Sequence, residues 1–156
     1  FPNSPAMVAG ADLDGRTLVQ RTSAGTQGVV RAHEATRLWA ASLVVASATA
    51  RAVIAASLGE PTYVITGRFE DRPDGGSDDM LTADLIERAR TGLPLAAEAT
   101  ADALLRTEEA AKTLALGSEH TDPRDIELAA VVDAFDFAME VRRTDRGLRL
   151  APSRVG

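Results

Sequence analysis

Thr17-Leu-Val-Gln-Arg-Thr-Ser-Ala-Gly-Thr-Gln-Gly28 is the stretch on which the reading of the fold turns. Leu18 and Val19 make a short apolar run. It ends in Arg21, three hydroxyls (Thr22, Ser23, Thr26) and two glycines, and a helix-compatible run from Val29 to Ala35 follows at once. The pattern predicts a strand over 17–20, a tight polar turn, and a helix start. A turn of this kind gathers backbone N–H groups at the positive end of a helix, where an anion can sit. Arg21 adds a planar cationic fork that suits phosphate or sulfonate oxygens. An ordinary strand-to-helix turn with solvated hydroxyls fits the same letters.

Working outward, the alternation repeats. Leu38 to Val45 reads as a buried strand, followed by caps at Ser47 and Thr49 and a helix over Ala50 to Leu58. Thr62-Tyr-Val-Ile-Thr66 is the clearest strand, being rich in β-branched residues. A polar loop, Gly67 to Gly76, precedes a helix capped by Ser77 that runs to about Arg90. Pro94 opens a long alanine-rich helix to about Leu116, and Thr121-Asp122-Pro123 starts another with Asp125 near a capping-box position. Asn3-Ser4-Pro5 caps a short helix over Ala6 to Ala11. Phe135 to Arg142 and Leu148 to Ala151 are expected to pair as a hairpin across Asp145-Arg146-Gly147. This pattern predicts an α/β fold, a three-layer α/β/α sandwich with a mostly parallel or mixed sheet and antiparallel C-terminal strands. Ligands of such sheets collect beyond the carboxyl ends of the strands. Three loops would meet there: Arg21 to Gly28; Ser47, Thr49 and Arg51; and Gly67 to Asp79.

Composition narrows the function. The chain of 156 residues is long enough for one domain with a core, and 45% of it is apolar. Aromatics are 4% and the net charge is −6, with no basic stripe, which excludes a base-stacking nucleic-acid surface. No run is long enough to span a bilayer. With no cysteine, disulfides and zinc–thiolate sites are excluded, and His33 and His120 lack zinc-site spacing. Lys112 is the only lysine, so a P-loop is not on offer. The expected setting is cytoplasmic. The stretch Leu95 to Leu116 could serve a homodimer interface or simple core packing. The acidic residues Glu70, Asp71, Asp74, Asp78 and Asp79 lie where a Mg²⁺ ion would be held, because that ion keeps waters and takes one or two carboxylates while bridging to phosphate. Asp78 and Asp79 would equally be favoured in a first helical turn by the macrodipole alone.

Taken in order, Asn3-Ser4-Pro5, Thr22-Ser23-Ala24-Gly25-Thr26, Ser42…Ala46-Ser47-Ala48, Asp78-Asp79-Met80-Leu81, Asp125-Ile126-Glu127-Leu128-Ala129 and Asp133-Ala134-Phe135-Asp136 resemble the 2-phosphosulfolactate phosphatase family. The resemblance implies a Mg²⁺-dependent phosphatase acting on a small phosphorylated, sulfonated organic acid. It implies Arg21 and Asp79 as catalytic residues, with Thr22, Ser23, Gly25, Thr26, Ser47, Thr49 and Arg51 holding the anionic substrate. Asp78 and Asp79 would be the metal pair. Two departures accompany it: Ala24 stands where the family has Asn, and Ala138-Met139 replaces a closing Val-Pro. The family's Asp-Val-Leu-Arg-Ala-Ser-Thr stretch has no counterpart here, and the chain opens at Phe1. The expectation is therefore that residues 1–156 form one α/β domain, the C-terminal part of a longer phosphatase-like chain. A catalytically inactive relative that binds a small anionic metabolite is the alternative.

Overall fold

The computed structural model describes residues 2–68, 70 and 73–154. Among the described residues, seven α-helices and three strands run in the order α1 (Pro5–Ala9), α2 (Gly25–Arg31), β1 (Trp39–Ala40), α3 (Ala46–Ala56), α4 (Ser77–Thr91), α5 (Ala97–Leu105), α6 (Glu108–Leu114), α7 (Arg124–Ala129), β2 (Ala138–Thr144) and β3 (Gly147–Ser153). The strands form one antiparallel sheet in the order β1-β2-β3. The hairpin read from the sequence is present, turning at Asp145 and Arg146 with Thr144 opposite Gly147 and Ala138 opposite Ser153. The sheet is pinned to α2 by Arg143, whose guanidinium donates to the carbonyls of His33 and Ala35 just beyond the helix.

Among the described residues the parallel sheet and the three-layer sandwich do not form. Thr17 to Gln20 is not a strand, and Leu18 and Val19 lie 58% and 95% exposed. Thr62 to Thr66 keeps the side-chain alternation of a strand, with Tyr63 and Ile65 turned inward and Thr62 and Val64 outward, yet no ladder forms beside it. The physical reason is that periodicity reports which face is buried, whereas a strand also needs a neighbour for its N–H and C=O groups. The stretch Leu38 to Val45 is only briefly β. After Trp39–Ala40 it tightens into a 3₁₀ turn over Leu43–Val45 that runs straight into α3. The long alanine-rich helix is two helices. Thr107 leaves helical geometry and its hydroxyl accepts the N–H of Ala110, so it ends one element and caps the next.

The core is small and lies between helices. Leu43, Ala46 and Ala50 meet Leu85 and Ile86 of α4, Leu104 of α5 and Ala130, with Tyr63 and Leu81 packed against them. Alanines on α3 let α4 approach closely, which compensates for the scarcity of aromatics. The accessible surface is 10391 Å². A compact monomer of this mass exposes roughly 7,500 Å², so the unpaired segments leave apolar surface open. No helix among the described residues is long and apolar enough to cross a membrane.

Asp125 joins the two ends of the chain. One of its oxygens accepts from Ser4 Oγ and from the N–H of Ala6, each at 2.8 Å. The other accepts from Thr121 Oγ1 at 3.1 Å and the N–H of Asp122 at 2.8 Å. Asp125 is 4% exposed. Desolvation pushes its carboxyl up, but the bonds from Asp122, Ala6, Ser4 and Thr121 together outweigh that and hold it below the ordinary range. A depressed folded-state pKa stabilises the fold above the unfolded value near 4, and that contribution is lost as pH falls through the lower, folded value. Asp125→Ala is expected to cost about 2–4 kcal/mol in urea unfolding at neutral pH, and the gap between variant and parent should narrow below about pH 4.

Candidate active site at the first turn of the fourth helix

Residues 64–68 lie against residues 76–79, where α4 begins. Gly76 has φ +75°, and a Cβ there would stand 2.5 Å from the carbonyl oxygen of Thr66 and 2.8 Å from Ile65 Cγ2. Only glycine fits both the conformation and the space. Gly67, with φ +78°, makes the return bend. This brings Thr66 to Asp79, whose Oδ2 accepts both the N–H and the hydroxyl of Thr66 at 2.6 Å. Glu109, from α6, accepts the N–H of Gly76 at 3.0 Å and the hydroxyl of Ser77 at 2.5 Å. Asp78 stands between these carboxylates and is partly buried. Burial first, then the charge of Asp79 and that of Glu109, push the Asp78 carboxyl above its ordinary range.

The turn singled out from the sequence lies against the same place. Thr22 and Thr26 lock each other: the N–H of Thr22 donates to Thr26 Oγ1 at 3.0 Å, and the N–H of Thr26 donates to Thr22 Oγ1 at 2.9 Å. These hydroxyls replace the missing cap at Ala24, which has no side-chain bond to α2. Gly28 packs on Thr66, where a Cβ would meet Thr66 Cγ2 at 2.5 Å. Contact thus passes from α2 through Thr66 to Asp79. Arg21, Ser23 and Gly25 are exposed on the outer side of the turn.

The loop at α3 goes elsewhere. The N–H and hydroxyl of Ser47 donate to Asp133 at 2.7 and 2.6 Å, so a carboxylate from the chain itself caps that helix. Asp133 holds a left-handed backbone, φ +55°, to do so. Thr49 is buried and spends its hydroxyl on the carbonyl of Val45. Arg51 is exposed and forms no ion pair among the described residues. Of the three loops expected to share one mouth, the first and third meet at Thr66, while the second closes on Asp133.

A cleft of about 450 Å³ opens beside the first turns of α4, lined by Arg68, Asp74, Gly75, Ser77, Met80, Leu81 and Asp84. Ser77, Met80, Leu81 and Asp84 share one helical face by their i, i+3, i+4, i+7 spacing. Asp71 lies outside the described residues. Among those described, no group of three acidic or histidine side chains converges as a metal cage. The donor set still suits Mg²⁺, which needs only one or two carboxylates beside water and phosphate oxygens: Asp78 contributes one, and Oδ1 of Asp79 is not used by Thr66. Sequence reading missed Thr66, Arg68, Glu109 and Asp133. Only the glycines 67, 75 and 76 signalled that the backbone must double back here.

The chain matches a family model described as 2-phosphosulpholactate phosphatase over residues 1–144 of 156. No curated protein and no solved structure matches it.

Gly76→Ala is expected to destabilise the protein by about 2–4 kcal/mol, because both the positive φ and the contact with the Thr66 carbonyl oppose a side chain. Urea unfolding measures this, and a change near zero would mean that residue 76 is not packed against Thr66.

Proposed function

The chain belongs to the 2-phosphosulpholactate phosphatase family, and from that premise we propose that it hydrolyses the phosphate monoester of a small organic acid carrying a second anionic group, 2-phosphosulpholactate or a close analogue, with the help of Mg²⁺. The family match over most of the chain carries this reading. The contact of α2 with Thr66 supports it, since Gly28 packs on the same threonine that holds Asp79 of the acidic turn. Asp78 and Oδ1 of Asp79 would hold the ion, which when bound supplies charge neutralisation for the phosphoryl oxygens. Thr66 orients Asp79 by occupying its other oxygen. Arg21, with the hydroxyl of Ser23 and the backbone at Gly25, is assigned to the phosphoryl oxygens, where a guanidinium binds in a bidentate fashion; Thr22 and Thr26 spend their hydroxyls on holding the turn. A water then attacks phosphorus in line. The P–O bond to the organic acid breaks, the leaving oxygen takes up a proton, and inorganic phosphate and the alcohol result.

Ser47, Thr49 and Arg51 are left out of this assignment. Ser47 is bound to Asp133, Thr49 is bonded inside α3, and Arg51 is exposed within the same helix.

The test is phosphate release from a panel of phosphosulfonates, phosphocarboxylates and simple phosphate esters, with Mg²⁺ and then with a chelator. Turnover is expected on the dianionic or trianionic acids and to stop with the chelator. Arg21→Ala and Asp79→Asn should each lower kcat/KM roughly tenfold or more while the folded baseline in circular dichroism is kept. No phosphate release from any ester would overturn the reading; chelator-insensitive release would remove the metal from it.

A further inference from the structure

The first turn of α4 is capped in an unusual way. Gly76 offers no side chain, and Ser77, the residue expected to cap, is already inside the helix. Its hydroxyl points away to donate to Glu109. The partner that satisfies both groups comes from 32 and 33 residues later in the chain and from a different helix. A capping side chain at position 76 is ruled out, because a Cβ there would strike the Thr66 carbonyl, so the partner has to come from outside the turn. A third carboxylate is instead brought up to a turn that already carries Asp78 and Asp79; the upward push on Asp78 comes first from burial, then from Asp79, with Glu109 adding to it. Departures from local rules of this kind are retained where a site needs them.

We infer that Glu109 is a positioning residue: its two oxygens clamp the Gly76 N–H and the Ser77 hydroxyl, and so fix where the Asp78-Asp79 turn and the Ser77 wall of the cleft stand. This rests on the phosphatase reading for its consequence, though not for its geometry. Asp79 is tied to Thr66 on one side of the turn, and Glu109 ties the residues before it on the other. With both ties in place, the carboxylate of Asp78 and the free oxygen of Asp79 keep a set separation. Without Glu109, the loop leading into α4 and the first helical turn can fray, because the first N–H groups of a helix have no internal partner. The position of Glu109 is itself secured from within α6, where the hydroxyl of Thr107 caps the helix at Ala110.

Two variants separate geometry from charge. Glu109→Gln keeps an oxygen for Gly76 and an amide group that can donate to Ser77, whereas Glu109→Ala keeps neither. Amide exchange by NMR is the readout independent of activity. In Glu109→Ala the amides of Gly76 and of the first turn of α4 should exchange about tenfold faster, with the Leu85 to Arg90 part of the helix unchanged; in Glu109→Gln both should return close to the parent. On whichever phosphate ester the parent turns over, Glu109→Ala should lose roughly tenfold in kcat/KM and Glu109→Gln should recover most of it. Should Glu109→Ala fail to fold, Ser77→Ala removes one prong alone and should speed exchange at the same turn. Unchanged exchange in the alanine variants, or a glutamine variant as impaired as the alanine one, would overturn the inference. An inactive parent that shows the exchange pattern would overturn the phosphatase reading and leave the clamp standing.

Discussion

One carboxylate oxygen accepting two hydrogen bonds from one residue is the constraint on which the site depends. Oδ2 of Asp79 takes both the N–H and the hydroxyl of Thr66. Charge-assisted bonds of this kind are the strong members of their class. The pair brings the segment before the loop and the helix after it to a single point. Gly28 of α2 lies on the same threonine, and Gly76 lies on its carbonyl. Thr66 is therefore a hub: three residues from α2 and the start of α4 approach it, and at two of the three contacts a glycine is what makes the approach close enough.

The same device recurs elsewhere. Asp125 gathers Ser4, Ala6, Thr121 and Asp122. Asp133 gathers Ser47 twice. Glu109 gathers Gly76 and Ser77. In a chain with few aromatics and a small core, acidic side chains capping backbone N–H groups across long sequence separations take over part of the work of fixing helix ends. Carboxylates that look like metal ligands or solvated surface in the sequence are partly structural acceptors, and Asp125 is wholly so. Asp133 adopts a left-handed backbone for its role, a conformation that persists only where surrounding bonds enforce it.

Local signals were legible to the extent that they were local. Ser4-Pro5 does start a helix, Gly92 does end one, and Asp145-Arg146-Gly147 does turn the hairpin. Each depends on residues within a few positions. The acidic turn at Asp78 and Asp79 and the threonine turn at 22–26 were likewise visible as polar punctuation after apolar runs. The structure brings those two together through Thr66. Ser47 looked like the equivalent of these turns and is not, because its partner is 86 residues away.

Sequence by itself determined the capped start of α1, the hairpin, the exclusion of thiolate chemistry, and the kind of groups available at each loop, since these follow from side-chain type and short-range geometry. Only the tertiary structure decided which segments with a strand's alternation became strands, and which carboxylate faces which donor. Alternation in Thr62 to Thr66 buries Tyr63 and Ile65 whether or not a neighbouring strand is there, because burial is a property of one segment. A ladder, or a bond from Glu109 to Gly76, is a property of two, and nothing in either segment alone names the other.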